Sequence, residues 1–157
     1  MWWDSLFAKL LRTFFVAMVP VIELRGAIPY GVALDLPLWT SIAVSIAGNL
    51  LPVPFILLFI RKIFAWMRRH IPKLNSLVSS LEARAESKKE TVLRYQFWGL
   101  VILVAIPLPG TGAWTGALVA AMMDMRLKKA IPAITLGVII AAVVVSVITY
   151  GATVVFG

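Results

Sequence analysis

The chain of 157 residues contains no cysteine, one histidine and only seven acidic residues. Without cysteine it can form no disulfide and offers no thiolate to a metal. Charged residues make up 14% of the chain and hydrophobic residues 61%, against about 25% and 45–50% in ordinary soluble domains. A soluble fold of this length could not bury so much apolar surface, which argues against a soluble enzyme, a disordered protein and a nucleic-acid-binding module. The sequence predicts one membrane domain.

Basic residues outnumber acidic ones by fifteen to seven. In a membrane protein this excess sets the orientation and attracts anionic lipid headgroups, so membrane lipids are the expected partners and nucleic acid is not. Nine of the basic residues lie in 61–96. This segment is expected to be a basic cytoplasmic linker in which an amphipathic helix begins near Pro72. The isolated His70 within it is expected at the surface, and the sequence predicts no metal site and no cofactor.

The apolar stretches divide the chain by length. A helix needs about 20 apolar residues to cross a bilayer, and residues 36–60, 97–125 and 130–156 reach that length. A further stretch, 13–38, is interrupted by Glu23 and Arg25. The preceding residues, 1–12, place tryptophans and leucines on one helical face, which predicts a short helix lying in the membrane interface.

Two corners break these stretches near their middle, PVIELRGAIPYG at 20–31 and IPLPGTGAWTGA at 106–117. Proline and glycine make a continuous helix improbable there, and the flanking arms are about half a bilayer long. The predicted fold is therefore all-α, with re-entrant hairpins over 13–35 and 97–125 and transmembrane helices over 36–60 and 130–156. Four kinked spanning helices are the alternative, and charge counting barely separates the two topologies.

A weak internal repeat agrees with this division. At an offset of 89 residues, Asp35 matches Asp124, Gly48 matches Gly137, and three further pairs are identical. Both halves have the same order of hairpin, acid and span, so an inverted repeat is expected, an architecture that recurs in transporters.

Glu23 and Arg25 are candidate site residues because a charge at the bilayer centre is costly and usually functional. Residues two apart point to different faces of a helix but to the same side of an extended segment. Their spacing therefore suggests an unwound corner in which they pair or contact a ligand together. The alternative is a purely structural salt bridge that holds the hairpin.

The second corner supplies the other candidates, Gly110, Thr111, Gly112 and Trp114. The free N–H groups of the helix that follows would favour an anion, and Thr111 could cap that helix. Gly112, Gly116 and Ala120 could equally be a small-residue packing face. Trp114 could stack on a substrate, pack internally or lie at the interface.

Three secondary candidates are Asn49, where a kink is expected before Pro52, and Asp124 and Arg126, which are expected at an interface and could contribute to gating. Most of the polar face around Asn49 is expected to pack against the hairpins. The chain has no Ser/His/Asp set, no HExxH motif and no suitably spaced carboxylate pair, so it is not expected to be an enzyme.

ELRGAIPYG, GNLLPVPFILLFIRK and AIPLPGTGAWTGALVAAMM together resemble the putative small multidrug export protein family over roughly residues 8–151. That family is similar to the wider DedA superfamily, whose members carry two opposed re-entrant hairpins and are implicated in moving phospholipids or polyprenyl-phosphate carriers across membranes, often linked to proton gradients. The resemblance implies that Glu23 and Arg25 are the acidic and basic residues of the first hairpin. The arginines typical of the second corner are replaced here by Ala, Gly and Thr.

The sequence thus predicts a multi-pass protein of the cell (inner) membrane. We expect a homodimer that translocates a small amphipathic anion, such as a lipid or polyprenyl phosphate, with Glu23 titrating protons. A cationic drug exporter and a non-transporting scaffold that binds through the basic linker are the alternatives.

Overall fold

The structure is a computed structural model that describes residues 2–108 and 110–157, apart from the side chains of Trp3, Glu90 and Thr91. Met1 and Pro109, the latter part of the second predicted corner, lie outside the described residues. The described residues contain no strand, and 85% of them are helical. The all-α prediction is confirmed.

The described residues form eight α-helices with short connections, and two short 3₁₀ turns lie at Trp2–Asp4 and Pro72–Leu74. Ser5 caps the first helix by accepting a hydrogen bond from the Ala8 N–H at 3.2 Å. The helices are α1 (Leu6–Met18), α2 (Glu23–Ala33), α3 (Leu38–Leu50), α4 (Pro52–His70), α5 (Asn75–Tyr95), α6 (Phe97–Ala105), α7 (Ala113–Met122) and α8 (Leu127–Phe156).

In the part of the chain that the structure describes, two helices are long and apolar enough to cross a membrane: Leu38–His70, which joins α3 and α4, and Leu127–Phe156, which is α8. The first continues ten residues beyond the predicted end at residue 60. The positive charges that follow residue 60 therefore begin inside a helix rather than in a linker.

The first corner also differs from its prediction. A single helix, α1, covers the end of the expected interfacial helix and the start of the expected arm, and Thr13 and Ala17, one turn apart, are buried on one face of it. The chain turns at 19–22, just before Glu23, so ELRG begins α2 rather than lying in an unwound segment. Lys9 and Asp35 form an ion pair at 3.8 Å, which brings the two ends of this helix pair together.

The two halves of the chain share unusual backbone conformations at an offset of 89 residues. Positive φ angles at Val21, Glu23 and Asp35 recur at Gly110, Gly112 and Asp124. The hydrogen bonds at the turns correspond too: the N–H groups of Leu36 and Met125 donate to the carbonyls of Gly31 and Ala120, at 3.1 and 3.0 Å. The local repeat in the sequence is therefore a local repeat in the backbone as well.

The core lies between α6, α7 and α8 on one side and α2 and α4 on the other. Glycines allow the closest approaches. A Cβ on Gly137 would lie 2.6 Å from the Val104 Cβ atom, and one on Gly116 would lie 2.5 Å from Val104 Cγ2. The predicted small-residue packing face on α7 is thus used against α6.

Helix α5 is packed rather than solvated. Val78, Ala85 and Val92, seven residues apart, are at most 1% exposed, and they form a stripe directed at α6 and α7. An ion pair between Arg68 and Glu82 joins α5 to the end of α4. The sequence predicted the amphipathic helix but not its docking.

Candidate functional site

The site lies where the two corners meet. Glu23 is the first residue of α2 and has a left-handed backbone (φ 50°), and its side chain is 2% exposed. Arg25, one half-turn further on, donates from Nη1 to Glu23 Oε2 at 2.6 Å. The pair forms although α2 is helical, because the left-handed backbone of Glu23 redirects its side chain.

Glu23 also binds the second corner directly. Its Oε1 atom accepts a hydrogen bond from the Trp114 backbone N–H at 3.0 Å. That N–H belongs to the first turn of α7, where amides are free and the helix dipole favours a negative charge. The anion-favouring amides predicted at the second corner are therefore occupied by a carboxylate of the protein itself.

Arg25 closes the corner from the other side. Its Nη2 atom donates to the carbonyl oxygens of Ile106 at 2.7 Å and Val104 at 3.2 Å, and lies 3.4 Å from Thr111 Oγ1. These carbonyls end α6, where the helix leaves acceptors without partners and a cation is favoured. One ion pair thus satisfies the C-terminal end of α6 and the N-terminal end of α7.

The glycine at residue 112 is required by this arrangement. Its backbone (φ 128°) is in a region that side chains rarely adopt, and a Cβ there would collide with the Glu23 carboxylate and the Arg25 guanidinium. Gly112 is the N-cap of α7, and the predicted capping by Thr111 is wrong. The Thr111 hydroxyl instead lies 2.7 Å from the carbonyls of both Ile106 and Leu108, to which it can donate.

Trp114 joins α7 to α1. Its indole Nε1 donates to the Met18 carbonyl at 3.0 Å, an acceptor left free at the end of α1. Thr115 donates similarly to the Gly110 carbonyl at 3.1 Å. Trp114 is therefore a structural contact between the corners, and stacking on a substrate stays a prediction.

The secondary candidates do not join this cluster through any described contact. Asp124 pairs with Arg61 of α4 at the surface, and Arg126 precedes the first turn of α8. Asn49 is 1% exposed, and neither end of its amide has a hydrogen-bond partner. Within the described part of the chain, no group of three His, Asp or Glu side chains could hold a metal ion.

Arg84 of α5 is a site residue that the sequence analysis did not single out for this place. It borders a cavity of about 100 Å³ together with Glu23, Gly110, Thr111 and Trp114. A Cβ on Gly110 would lie 3.9 Å from its Cδ and Nε atoms. The second corner lacks arginines of its own, and an arginine of α5 lies beside it instead.

A larger groove of about 680 Å³ lies on the side of Arg25. Arg25 is the one charged side chain among the residues that border it, which come mainly from α2 and α8. Thr149 and Thr153 supply hydroxyls, and the remaining side chains are apolar. The groove and the smaller cavity share no residue, so the ion pair contributes to two separate spaces.

These features define an all-helical membrane protein with an ion pair buried where two helix–turn–helix corners meet. A family model described as putative small multi-drug export protein matches residues 23–144, which include most of the chain, the first corner from Glu23 onward and the whole second corner. The chain belongs to this family, whose description is consistent with a membrane transporter. No curated protein and no solved structure gave a match.

Proposed function

We propose that the protein translocates an amphipathic anion, such as a lipid or polyprenyl phosphate, across the cytoplasmic membrane in a proton-linked manner and catalyses no reaction. The observation that carries the proposal is the groove of about 680 Å³ whose one charged side chain is Arg25. A guanidinium binds phosphate oxygens through paired hydrogen bonds, and the apolar residues Val145, Ile148 and Phe156 suit an acyl or prenyl chain.

The ion pair supports a coupling role. Arg25 borders the large groove, and Glu23 borders the small cavity beside Arg84. A proton on Glu23 would neutralise the carboxylate that holds Arg25 and would free the guanidinium for an anion. Proton movement and substrate movement would then be coupled, because the Arg25 guanidinium could bind either the Glu23 carboxylate or the substrate anion, but not both at once.

The topology belongs to the same proposal. In it, α1–α2 and α6–α7 are re-entrant hairpins related as an inverted repeat, the arrangement expected from the resemblance of the sequence motifs to the DedA superfamily. The Lys9–Asp35 ion pair supports this, because a segment whose ends meet cannot cross a bilayer of about 30 Å once. The lengths of α1, α2, α6 and α7, nine to thirteen residues, correspond to about 14–20 Å each.

The orientation follows from the basic residues. With this topology, 61–96 and 126–129 lie on one side and contain most of the positive charge, so we propose that this side is cytoplasmic. A homodimer and contacts with membrane lipids are part of the proposal, because so few spans enclose little space. Static light scattering in lipid nanodiscs measures the number of chains.

Export of a cationic drug is the second candidate, favoured by the family description. It would require a carboxylate free to bind the cation, whereas both Glu23 oxygens have donors.

A non-transporting scaffold is the third candidate. In that case the basic residues of α5 would carry the activity. Arg84 borders the same cavity as Glu23, so neutralising Lys88 and Lys89 tests this role independently of the site.

The experiment uses the protein in liposomes, with uptake of a labelled polyprenyl phosphate and of a cationic dye measured with and without a pH gradient. Ala152→Trp fills the groove, and we expect uptake of the anion to fall about tenfold, a loss of about 1.4 kcal/mol of binding. Val154→Trp, which is exposed on the same helix outside the groove, is the matched control and should transport normally.

Glu23→Gln is the second variant, and its uptake should no longer respond to the pH gradient. Movement of the dye alone would support the drug exporter and refute the anion. If wild-type protein moves neither probe and Glu23→Gln behaves as wild type in cells, the transport proposal is wrong.

A further inference from the structure

Helix α3 carries a buried polar face that the ion pair does not use. Ser41, Ser45 and Asn49 are spaced four residues apart and therefore lie on one face, and each is at most 1% exposed. No described group donates to or accepts from the two hydroxyls or either end of the Asn49 amide. Among the side chains that the structure describes, the Arg25 Nε atom is also buried without a partner.

Unpaired buried polar atoms are rare in folded proteins, and ordered water satisfies most that remain. An isolated serine could turn its hydroxyl to a carbonyl of its own helix, as Ser146 of α8 does with Ala142 at 2.5 Å. A single bond to a carbonyl of its own helix would not satisfy Asn49, because its amide has two donor hydrogens and an acceptor oxygen. A row of such groups points to water as the ligand.

The face leads from one polar end of the molecule to the ion pair. Ser41 lies against Gly31 of α2, where a Cβ would be 2.6 Å from its hydroxyl oxygen. Helices α2 and α3 are antiparallel across a short turn, so eight residues along each, about 12 Å, place Asn49 at the level of Glu23. The other end of the face approaches the turn that holds the Lys9–Asp35 ion pair.

We infer that Ser41, Ser45 and Asn49 form a hydrated path that delivers protons to Glu23. A proton passes from hydronium along hydrogen-bonded water and hydroxyls, each O–H bond forming as the preceding one breaks, and ends on a Glu23 carboxylate oxygen. The charged groups around that oxygen are Arg25 of the same helix and Arg84 of α5. The inference depends on the proposed function only where it assigns the proton a role in transport. The presence of water along this face does not depend on the proposed function.

Cysteine accessibility tests the water directly, because the natural chain contains no cysteine. Single variants in proteoliposomes are treated with a small water-soluble methanethiosulfonate. Ser45→Cys is compared with Ala27→Cys, buried on α2, and with Ala47→Cys, exposed on the lipid-facing side of α3. Only a thiolate in water reacts quickly, so Ser45→Cys should react at least about tenfold faster than both.

Asn49→Leu, of similar volume, tests the proton. We expect proton uptake, followed with an entrapped pH-sensitive dye, to fall about tenfold while the melting temperature is unchanged or higher, because unpaired polar atoms are removed. Val44→Leu on the same helix is the control and should take up protons normally.

The two proposals fail separately. If Ser45→Cys reacts no faster than Ala27→Cys, the face is dry and the path is refuted, whether or not the protein transports. If Asn49→Leu takes up protons like wild type, proton delivery by this face is refuted. If Ser45→Cys reacts quickly but no probe moves in wild-type protein, the water is supported and the proposed transport is wrong.

Discussion

At the scale of single residues, Gly112 shows how one missing Cβ permits the site. Glu23 occupies the first turn of α7 only because the backbone at residue 112 leaves space for its carboxylate. The charge is then compensated by Arg25 and by the Trp114 amide. Breaking a buried ion pair of this kind costs about 3–5 kcal/mol, because it leaves an uncompensated charge.

Gly112→Ala should therefore destabilise the protein by about 2–4 kcal/mol, from backbone strain and displacement of the ion pair. Thermal unfolding in detergent measures the change. Gly151→Ala is the matched control, because nothing lies within 4 Å of a Cβ there. Alanine in this helix should stabilise by about 0.5–1 kcal/mol. Equal melting temperatures for the two variants would show that the carboxylate does not lie at residue 112.

At the scale of elements, α5 changes the view of the basic segment. Its buried stripe faces α6 and α7, and Arg84 lies beside the second corner. A charged amphipathic helix can lie on lipid headgroups or on protein, and its own residues do not distinguish the two. Here α6 and α7 present a complementary apolar surface, so α5 packs on protein.

Val78→Asn tests this docking. Val78 is fully buried, so replacing it with a polar side chain should cost about 2–3 kcal/mol and expose α5 to protease. Leu77→Asn changes the neighbouring residue, which is 49% exposed, and should cost less than about 1 kcal/mol. Limited proteolysis and thermal unfolding give both readouts. Equal behaviour of the two variants would mean that α5 is a free linker.

At the scale of the whole molecule, the repeat and the ion pairs at the helix ends constrain the topology. The corner of one half supplies Glu23 where the other half has Gly112, at equivalent positions of the repeat. The two corners are thus alike in backbone and complementary in side chain. An interface of this kind lets two similar hairpins meet without leaving a buried charge unpaired.

The re-entrant topology predicts which residues share a side of the membrane. Asp35→Cys and Gly157→Cys should be labelled from one side by an impermeant maleimide, and Ser76→Cys and Asp124→Cys from the other. Labelling of intact and inverted vesicles measures this. Four kinked spans would instead place Asp124 with Asp35 and Ser76 with Gly157, so labelling of Asp124→Cys and Ser76→Cys from opposite sides would refute the hairpins.

The sequence alone determined the features that depend on local chemistry. Long apolar runs set the two spanning helices, proline and glycine set the corners, and the isolated charges at Glu23 and Arg25 marked the site. The boundaries were less well predicted, because Thr13 and Ala17 are buried against α2 and α3 and lie in one continuous helix where two elements were expected.

Only the tertiary structure decided what fills the site. Glu23 and Trp114 are 91 residues apart, so no local pattern could show that a carboxylate of the protein occupies the amides predicted for an external anion. The same holds for Arg84 beside Gly110, for the docked face of α5 and for the unpaired amide of Asn49. Each depends on which surfaces meet across the bundle, and that is settled by packing between distant helices rather than by the residues of one segment.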